Sequence, residues 1–276
     1  MTYLLAVLSS IAYGSADFLG GLATKRGAPL FAVVVLSQLT GLILILLALP
    51  FLPPSSPTAI DIAWGAAAGV AGGIGVALLY RALSIGVMSV VAPVTAVCAV
   101  IVPVIVGVAL GERPALRAIA GVILAVVAIV LVSQSGEKRA ATGVATAITS
   151  GIIIGFFLVF LARGGPSAGM WTLIAARVVS VSFFVLLGLI TRKQIAPQRE
   201  SLSIVIGGGA LDMLANILYV VAVRKGPLSI IATLTSLYPT STIILARIVL
   251  RERLRAVQQS GVVCAGLAIV LIVTSS

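Results

Sequence analysis

The chain has 276 residues, of which 61% are hydrophobic and only 9% carry charge. An ordinary soluble domain has roughly 25% charged residues, so this composition excludes a separate soluble domain and points to the lipid bilayer as the surrounding solvent. The absence of histidine excludes a His-based catalytic triad and a His-ligated metal site, and the two cysteines lie inside apolar runs. We therefore expect a protein that is not an enzyme and that has no metal or cofactor.

The basic residues lie singly or in pairs between the apolar runs. This is the pattern of loop charges beside membrane helices, and it argues against a nucleic-acid partner despite the net charge of +11. No G-x-x-x-x-G-K-[ST] run is present, which excludes an ATP-driven pump of the P-loop kind.

Ten apolar runs along the chain have the length of a membrane-spanning helix, which is about 20 residues. The first run lacks a basic start and contains Asp17, so we expect a retained helix rather than a cleaved signal peptide. Short polar or Pro/Gly-rich segments separate the runs. The predicted helices are Tyr3–Ala23, Pro29–Leu49, Ile62–Leu83, Val87–Leu110, Ala115–Val132, Ala141–Ala162, Met170–Ile190, Leu202–Val223, Pro227–Val249 and Ala256–Val273.

The two halves of the chain repeat each other. A shift of 140 residues aligns Gly86 with Gly226 and Glu112-Arg113 with Glu252-Arg253 without a gap. We therefore predict two five-helix repeats, residues 1–135 and 136–276, in one membrane unit. Because five is odd, the second repeat enters the membrane in the opposite orientation. The predicted fold is an all-α integral membrane protein with ten transmembrane helices, arranged as two inverted five-helix repeats around a central cavity.

The segment Ala77–Arg113 contains an aromatic-x-A-L-x-x-G stretch that starts at Tyr80, a proline-bearing helix and a closing Gly-Glu pair. These features resemble the third-to-fifth-helix signature of the EamA-type drug/metabolite transporters. The second half repeats them from Ala222 onwards, except that Arg251 stands where the first half has Gly111. The resemblance implies a ten-helix basket around a central cavity and the export of amino acids or other metabolites.

Three charged side chains, Asp17, Arg177 and Asp212, stand out at bilayer depth, where a charge is costly and usually functional. We predict that they line a polar cavity formed by helices one, three, four, six, eight and nine. The alternative is structural: Arg177 pairs with an aspartate between helices, and hydroxyl groups bond back to their own helices. The predicted substrate-binding residues are Tyr13, Asp17, Tyr80, Thr95, Arg177, Asp212, Asn216, Tyr219, Thr235 and Tyr238.

These observations favour a secondary transporter that exports small polar metabolites, amino acids above all, by alternating access across the bacterial inner membrane. Its expected partners are a small-molecule substrate and membrane lipid, and we expect a monomer or a weak homodimer. Nucleosides or cationic drugs are alternative substrates, and a lipid-handling enzyme, a scramblase or a non-transporting membrane partner are alternative functions. Proton coupling and orientation stay open: the basic loop residues favour both termini outside, whereas the resemblance implies both inside.

Overall fold

The computed structural model describes residues 1–133, 143–196, 199–250 and 256–273, and all regular secondary structure within them is helical. Short 3-10 turns stand at Leu49–Phe51, Pro166–Ala168 and Arg199–Ser201. The α-helices, numbered in chain order, are α1 (Thr2–Lys25), α2 (Leu30–Ala48), α3 (Ala59–Ile85), α4 (Met88–Ala109), α5 (Leu116–Ser133), α6 (Val144–Ala162), α7 (Trp171–Ile190), α8 (Leu202–Val223), α9 (Leu228–Thr235), α10 (Pro239–Val249) and α11 (Ala256–Val273). The ninth predicted run therefore contains two helices, while Arg251–Arg253 lies outside the described residues.

Eight segments of the described chain are helical, long and apolar enough to cross a membrane. They are α1 to α4, α6 to α8, and the α9–α10 pair, which together cover Leu228–Val249. Helices α5 and α11 have 18 residues each and are not among the eight, so the count of ten spans stays a prediction. Large apolar side chains such as Leu47, Ile105 and Leu186 are 60–66% exposed, as expected for a surface that meets lipid.

Equivalent hydrogen bonds join the first helix of each half to the third helix of the other half. The Ser9 hydroxyl on α1 donates to the Ala215 carbonyl on α8 over 2.8 Å. The Ser150 hydroxyl on α6 donates to the Gly75 carbonyl on α3 over 2.7 Å. Ala215 stands 140 residues after Gly75, which is the shift that aligns the two halves of the sequence. The repeat in the sequence thus corresponds to a repeat in the packing.

Two glycines at the same shift allow a second pair of close contacts. A Cβ on Gly69 would collide with the Ala176 carbonyl, where α3 crosses α7. A Cβ on Gly209 would collide with the Ser37 carbonyl, where α8 crosses α2. Small residues let membrane helices approach closely, so these glycines fix how α2 and α7 pack around the centre of the bundle.

Glu112 joins the end of α4 to the start of α9. Its Oε1 accepts a hydrogen bond from the Leu228 N–H at 2.6 Å, and its Oε2 accepts from the Ser229 N–H at 3.0 Å and from the Ser229 hydroxyl. Helix α4 has 22 residues and is therefore about 33 Å long. Since Leu228 lies beside the end of α4, the starts of α4 and α9 lie at opposite ends of the bundle.

Candidate functional site

A cavity lies between α1, α2, α3, α6, α7, α8 and the break that separates α9 from α10. Together with its opening it encloses about 650 Å³ of space. Its polar lining residues are Tyr13, Asp17, Gln38, Arg177, Ser180, Asp212, Asn216, Thr235, Ser236 and Tyr238. Its apolar lining residues are Ala68, Gly69, Gly72, Gly73, Val76, Leu79, Ile154, Phe157, Leu158 and Ala176.

A buried ion pair stands at the centre of the polar lining. The Arg177 Nη2 atom on α7 lies 2.5 Å from the Asp212 Oδ2 atom on α8, and Nη1 donates to the Gln38 side-chain oxygen on α2. The Ser180 hydroxyl donates to the same oxygen over 3.2 Å. The guanidinium is therefore held between three helices, with one hydrogen bond donated by each of its two terminal nitrogens. Removing one partner of such a pair leaves an uncompensated buried charge.

The Asn216 side chain connects this pair to α1. The Tyr13 hydroxyl donates to Asn216 Oδ1 over 2.8 Å, and Asn216 Nδ2 donates to the Asp212 backbone carbonyl over 2.7 Å. Asn216 is 1% exposed. Both ends of its amide are therefore satisfied, and the Tyr13 ring is held in a fixed position against the cavity.

Asp17 differs from the other charged residues of the cavity. Its side chain is 8% exposed and lines the cavity, yet it forms no hydrogen bond or ion pair with any other described residue. A buried carboxylate without a partner is unfavourable, so it either holds a proton or pairs with a cation. With Asp212 compensated by Arg177, Asp17 is the acid at this depth that is free to bind a positively charged group.

The break between α9 and α10 brings three further polar groups to the cavity. Pro239 has no N–H to donate. The residues before it form a 3-10 type turn, in which the N–H groups of Leu237 and Tyr238 donate to the carbonyls three residues earlier in the chain. The hydroxyls of Thr235, Ser236 and Tyr238 are buried and have no hydrogen-bond partner among the residues that the structure describes. An unmatched buried hydroxyl costs about 1–3 kcal/mol, so these groups are poised to bind a ligand.

The cavity is polar on one side and apolar on the other. The polar groups come from α1, α2, α7, α8 and the α9–α10 break, while α3 and α6 contribute glycines and aliphatic or aromatic side chains. At the shift of 140 residues, Asp17 corresponds to Phe157 and Asp212 corresponds to Gly72. The two halves thus share a backbone arrangement but differ in chemistry, so the cavity can distinguish the two ends of an amphipathic molecule.

Seven of the ten predicted site residues line this cavity: Tyr13, Asp17, Arg177, Asp212, Asn216, Thr235 and Tyr238. Tyr80, Thr95 and Tyr219 lie elsewhere. Tyr80 packs against Gly20, Thr95 donates to the Val91 carbonyl of its own helix, and Tyr219 donates to the Leu158 carbonyl. A role in substrate binding stays a prediction for all ten.

The set of lining helices also differs from the prediction. Helices α2 and α7 contribute Gln38, Arg177 and Ser180, whereas none of the described lining residues belongs to α4. The structural alternative for Arg177, pairing with an aspartate, is present as well. Sequence reasoning missed Gln38, although an amide in the middle of an apolar run is a usable signal. No group of Asp, Glu and Cys side chains suited to a metal ion occurs in the described part of the chain.

Comparison with known proteins identifies the family. Residues 1–134 and 141–274 each match the family described as the EamA-like transporter family, and the two matches start 140 residues apart. A solved crystal structure, titled only as that of a protein, is 14% identical with a TM-score of 0.71, over 96% of this chain and 95% of the other, which concerns the fold alone. No curated protein matches the chain significantly. Because the two family matches cover nearly the whole sequence, this multi-pass membrane protein belongs to the EamA-like transporter family.

Proposed function

We propose that this transporter exports small polar metabolites, amino acids above all, across the bacterial inner membrane by alternating access. The observation that carries the proposal is the cavity in the middle of the helix bundle, with the unpaired Asp17 beside the Arg177–Asp212 pair. Charged side chains at membrane depth are costly and usually mark the path of a substrate or an ion. An amino acid has a positive and a negative group, which suit a site that contains both acids and hydrogen-bond donors.

The proposal includes ten spans in two inverted five-helix repeats. It is supported by the matched bonds of Ser9 and Ser150, and by the opposite positions of the starts of α4 and α9. Inverted repeats place a substrate site near the midplane and allow one half to rock against the other. Helices α5 and α11 pack on each other. In this proposal they are the fifth and the tenth spans, which complete the two halves.

The proposed gates are the helices that follow two equivalent sequence turns, Gly86-x-x-Ser89 and Gly226-x-x-Ser229. Helix α4 contains Pro93 and Pro103, and the α9–α10 span is interrupted before Pro239. A proline inside a helix removes a hydrogen bond and allows bending at that point. Glu112 binds the start of α9, so this contact would hold one gate closed while the other end of the cavity opens.

Transport by purified protein in liposomes tests the proposal. A panel of labelled amino acids, nucleosides and cationic drugs should include amino acids that cross faster than in empty liposomes. Asp17→Asn should reduce this flux at least about tenfold, because it removes the free charge, whereas Glu200→Gln, which removes a carboxylate from an exposed position, should leave it unchanged.

Three outcomes would contradict parts of this proposal. Flux of nucleosides or cationic drugs alone would retain a transporter and reject amino acids as substrates. Flip-flop of a fluorescent phospholipid in the same liposomes, without solute flux, would favour a scramblase. A folded, monodisperse protein that moves no member of the panel would reject transport of these classes altogether.

A further inference from the structure

The hydroxyl groups at the α9–α10 break differ from neighbouring hydroxyls in the same span. Thr233, one turn before the break, donates to the Ser229 carbonyl over 2.7 Å. Ser241, just after it, donates to the Tyr238 carbonyl over 2.9 Å. Bonding of this kind to the preceding turn is the common way in which membrane helices satisfy Ser and Thr. Thr235 and Ser236 depart from that pattern within the same span, since both are 1% exposed and have no partner in the described residues.

The three residues that carry these unpartnered hydroxyls belong to the wall of a single cavity. Thr235, Ser236 and Tyr238 line the cavity that also contains Asp17. Their O–H groups can donate hydrogen bonds that converge on one acceptor group of a ligand, and a carboxylate offers two oxygens with about four acceptor positions. Bonds to an ionised acceptor are shorter and stronger than bonds to a neutral one.

The arginine of the cavity is a poor alternative for this task. Its Nη1 and Nη2 atoms donate to Gln38 and Asp212. Its Nε atom lies on the side of Gly41, 3.5 Å from the position where a Cβ on that glycine would stand. The Nε N–H has no partner among the described residues, but the Arg177 charge is already shared with the Asp212 carboxylate, which would repel a second carboxylate at the same place. A carboxylate that enters the cavity therefore meets the hydroxyls of the break as donors that no acidic side chain already binds.

We propose that Thr235, Ser236 and Tyr238 form a subsite for the carboxylate of the transported molecule, with its ammonium group on Asp17. The proposal rests on the proposed transport function and specifies the substrate as an α-amino acid whose side chain is apolar. The side chain would extend to the opposite wall, where Gly72, Gly73 and Phe157 offer no polar side-chain group. An analogue without the carboxylate would leave the three hydroxyls unmatched again, and a site of this kind rejects such analogues.

The test uses competition against labelled leucine in liposomes that contain the full-length protein. The competitors are unlabelled leucine and two analogues, leucinamide and 3-methylbutylamine. Both analogues keep the side chain and the amino group of leucine, but leucinamide replaces the carboxylate and 3-methylbutylamine lacks it. For the wild type we expect leucine to compete at least about tenfold better than either analogue. For Thr235→Val combined with Ser236→Ala, this preference should fall to about threefold or less.

A matched control and a second variant keep the result specific. Thr233→Val removes a hydroxyl from the same helix that bonds its own backbone, so the preference for leucine should be retained. Tyr238→Phe removes a hydroxyl of the subsite without changing the shape of the ring, and it should reduce the preference even if the double variant does not fold. Retention of the full preference in Tyr238→Phe and in the double variant would overturn the subsite.

Failure of the underlying function gives a different result. If the wild type transports no amino acid of the panel, the proposed function is wrong and the subsite is wrong with it. If the wild type transports leucine, but leucinamide and 3-methylbutylamine compete as well as leucine does, transport stands and the carboxylate subsite alone is wrong. Preference for an amino acid with a polar side chain, such as serine, would contradict the role of the apolar wall.

Discussion

Arg177 on α7 and Asp212 on α8 form an ion pair of 2.5 Å that is buried in the wall of the central cavity. The pair neutralises two of the three charges that face this space and leaves Asp17 as the uncompensated one. The same contact joins two helices that are neighbours in the chain through the 3-10 turn at Arg199–Ser201. It therefore has both a structural role and an effect on which charge the cavity offers to a ligand.

We expect Arg177→Ala to destabilise the protein, because Asp212 would be left as a buried charge without a partner. The expected loss of unfolding free energy is about 3–5 kcal/mol, and it should appear as a lower thermal unfolding midpoint in detergent. The combination of Arg177→Gln with Asp212→Asn removes both charges and should recover most of this loss. Ser180→Ala, which removes a hydroxyl shared between Gln38 and the Arg177 carbonyl but no charge, serves as the control and should cost about 1 kcal/mol.

If export is coupled to the proton gradient, Asp17 is the residue that should carry the proton. Asp212 is paired with Arg177, whereas Asp17 has no cation beside it in the described structure and can exchange a proton for a positively charged substrate group. Asp17→Asn should therefore abolish the dependence of flux on pH, and counterflow without a gradient should become pH-independent. A pH profile that survives in Asp17→Asn would assign coupling to another group or exclude it.

Replacement of Glu112 should loosen the start of α9. Its carboxylate accepts from the backbone of both Leu228 and Ser229, and a glutamine has only one oxygen with which to accept. We expect Glu112→Gln to lower the unfolding free energy by about 1–3 kcal/mol and to speed thiol labelling of a cysteine at Leu228. The neighbouring Arg113→Gln, which changes an exposed side chain, should leave both unchanged.

The close contact between α2 and α8 at Gly209 leaves no room for an added methyl group. Its Cβ would collide with the Ser37 backbone where α2 and α8 cross, so Gly209→Ala should destabilise the protein by about 1–3 kcal/mol. Gly207 lies two residues earlier in α8, and its added Cβ would be 3.7 Å from the nearest atom, a Leu19 methyl. Gly207→Ala should therefore be neutral or slightly stabilising in the same melting experiment, since alanine favours a helix more than glycine does.

The sequence was sufficient to predict an all-helical membrane protein and the charged members of the cavity. Asp17, Arg177 and Asp212 could be found because a charge inside an apolar run is conspicuous and expensive. The positions of Tyr80 and Tyr219 could not, since the rotation of a helix decides whether an aromatic ring faces the cavity or another helix. Tyr219 meets a backbone carbonyl of α6 instead, and such a distant partner leaves no mark in the local sequence.

Pro239 lies inside the ninth predicted helix, but the sequence did not indicate which hydroxyls would be left without partners near it. The same uncertainty applies to the set of lining helices. Gln38 reaches the cavity because α2 packs against both α7 and α8, and this arrangement depends on glycine contacts between helices that are distant in sequence. Long-range packing of this kind is decided by the whole bundle rather than by any one segment.

The most direct test of alternating access between inverted halves is the sidedness of two exposed positions. In a background with Cys98→Ala and Cys264→Ala, single cysteines replace Ile85, before α4, or Lys225, before α9. A membrane-impermeant thiol reagent should label the two from opposite sides of sealed vesicles, and added substrate should change their labelling rates in opposite directions. Labelling of both positions from the same side would contradict the inverted repeats, and with them the proposed transport mechanism.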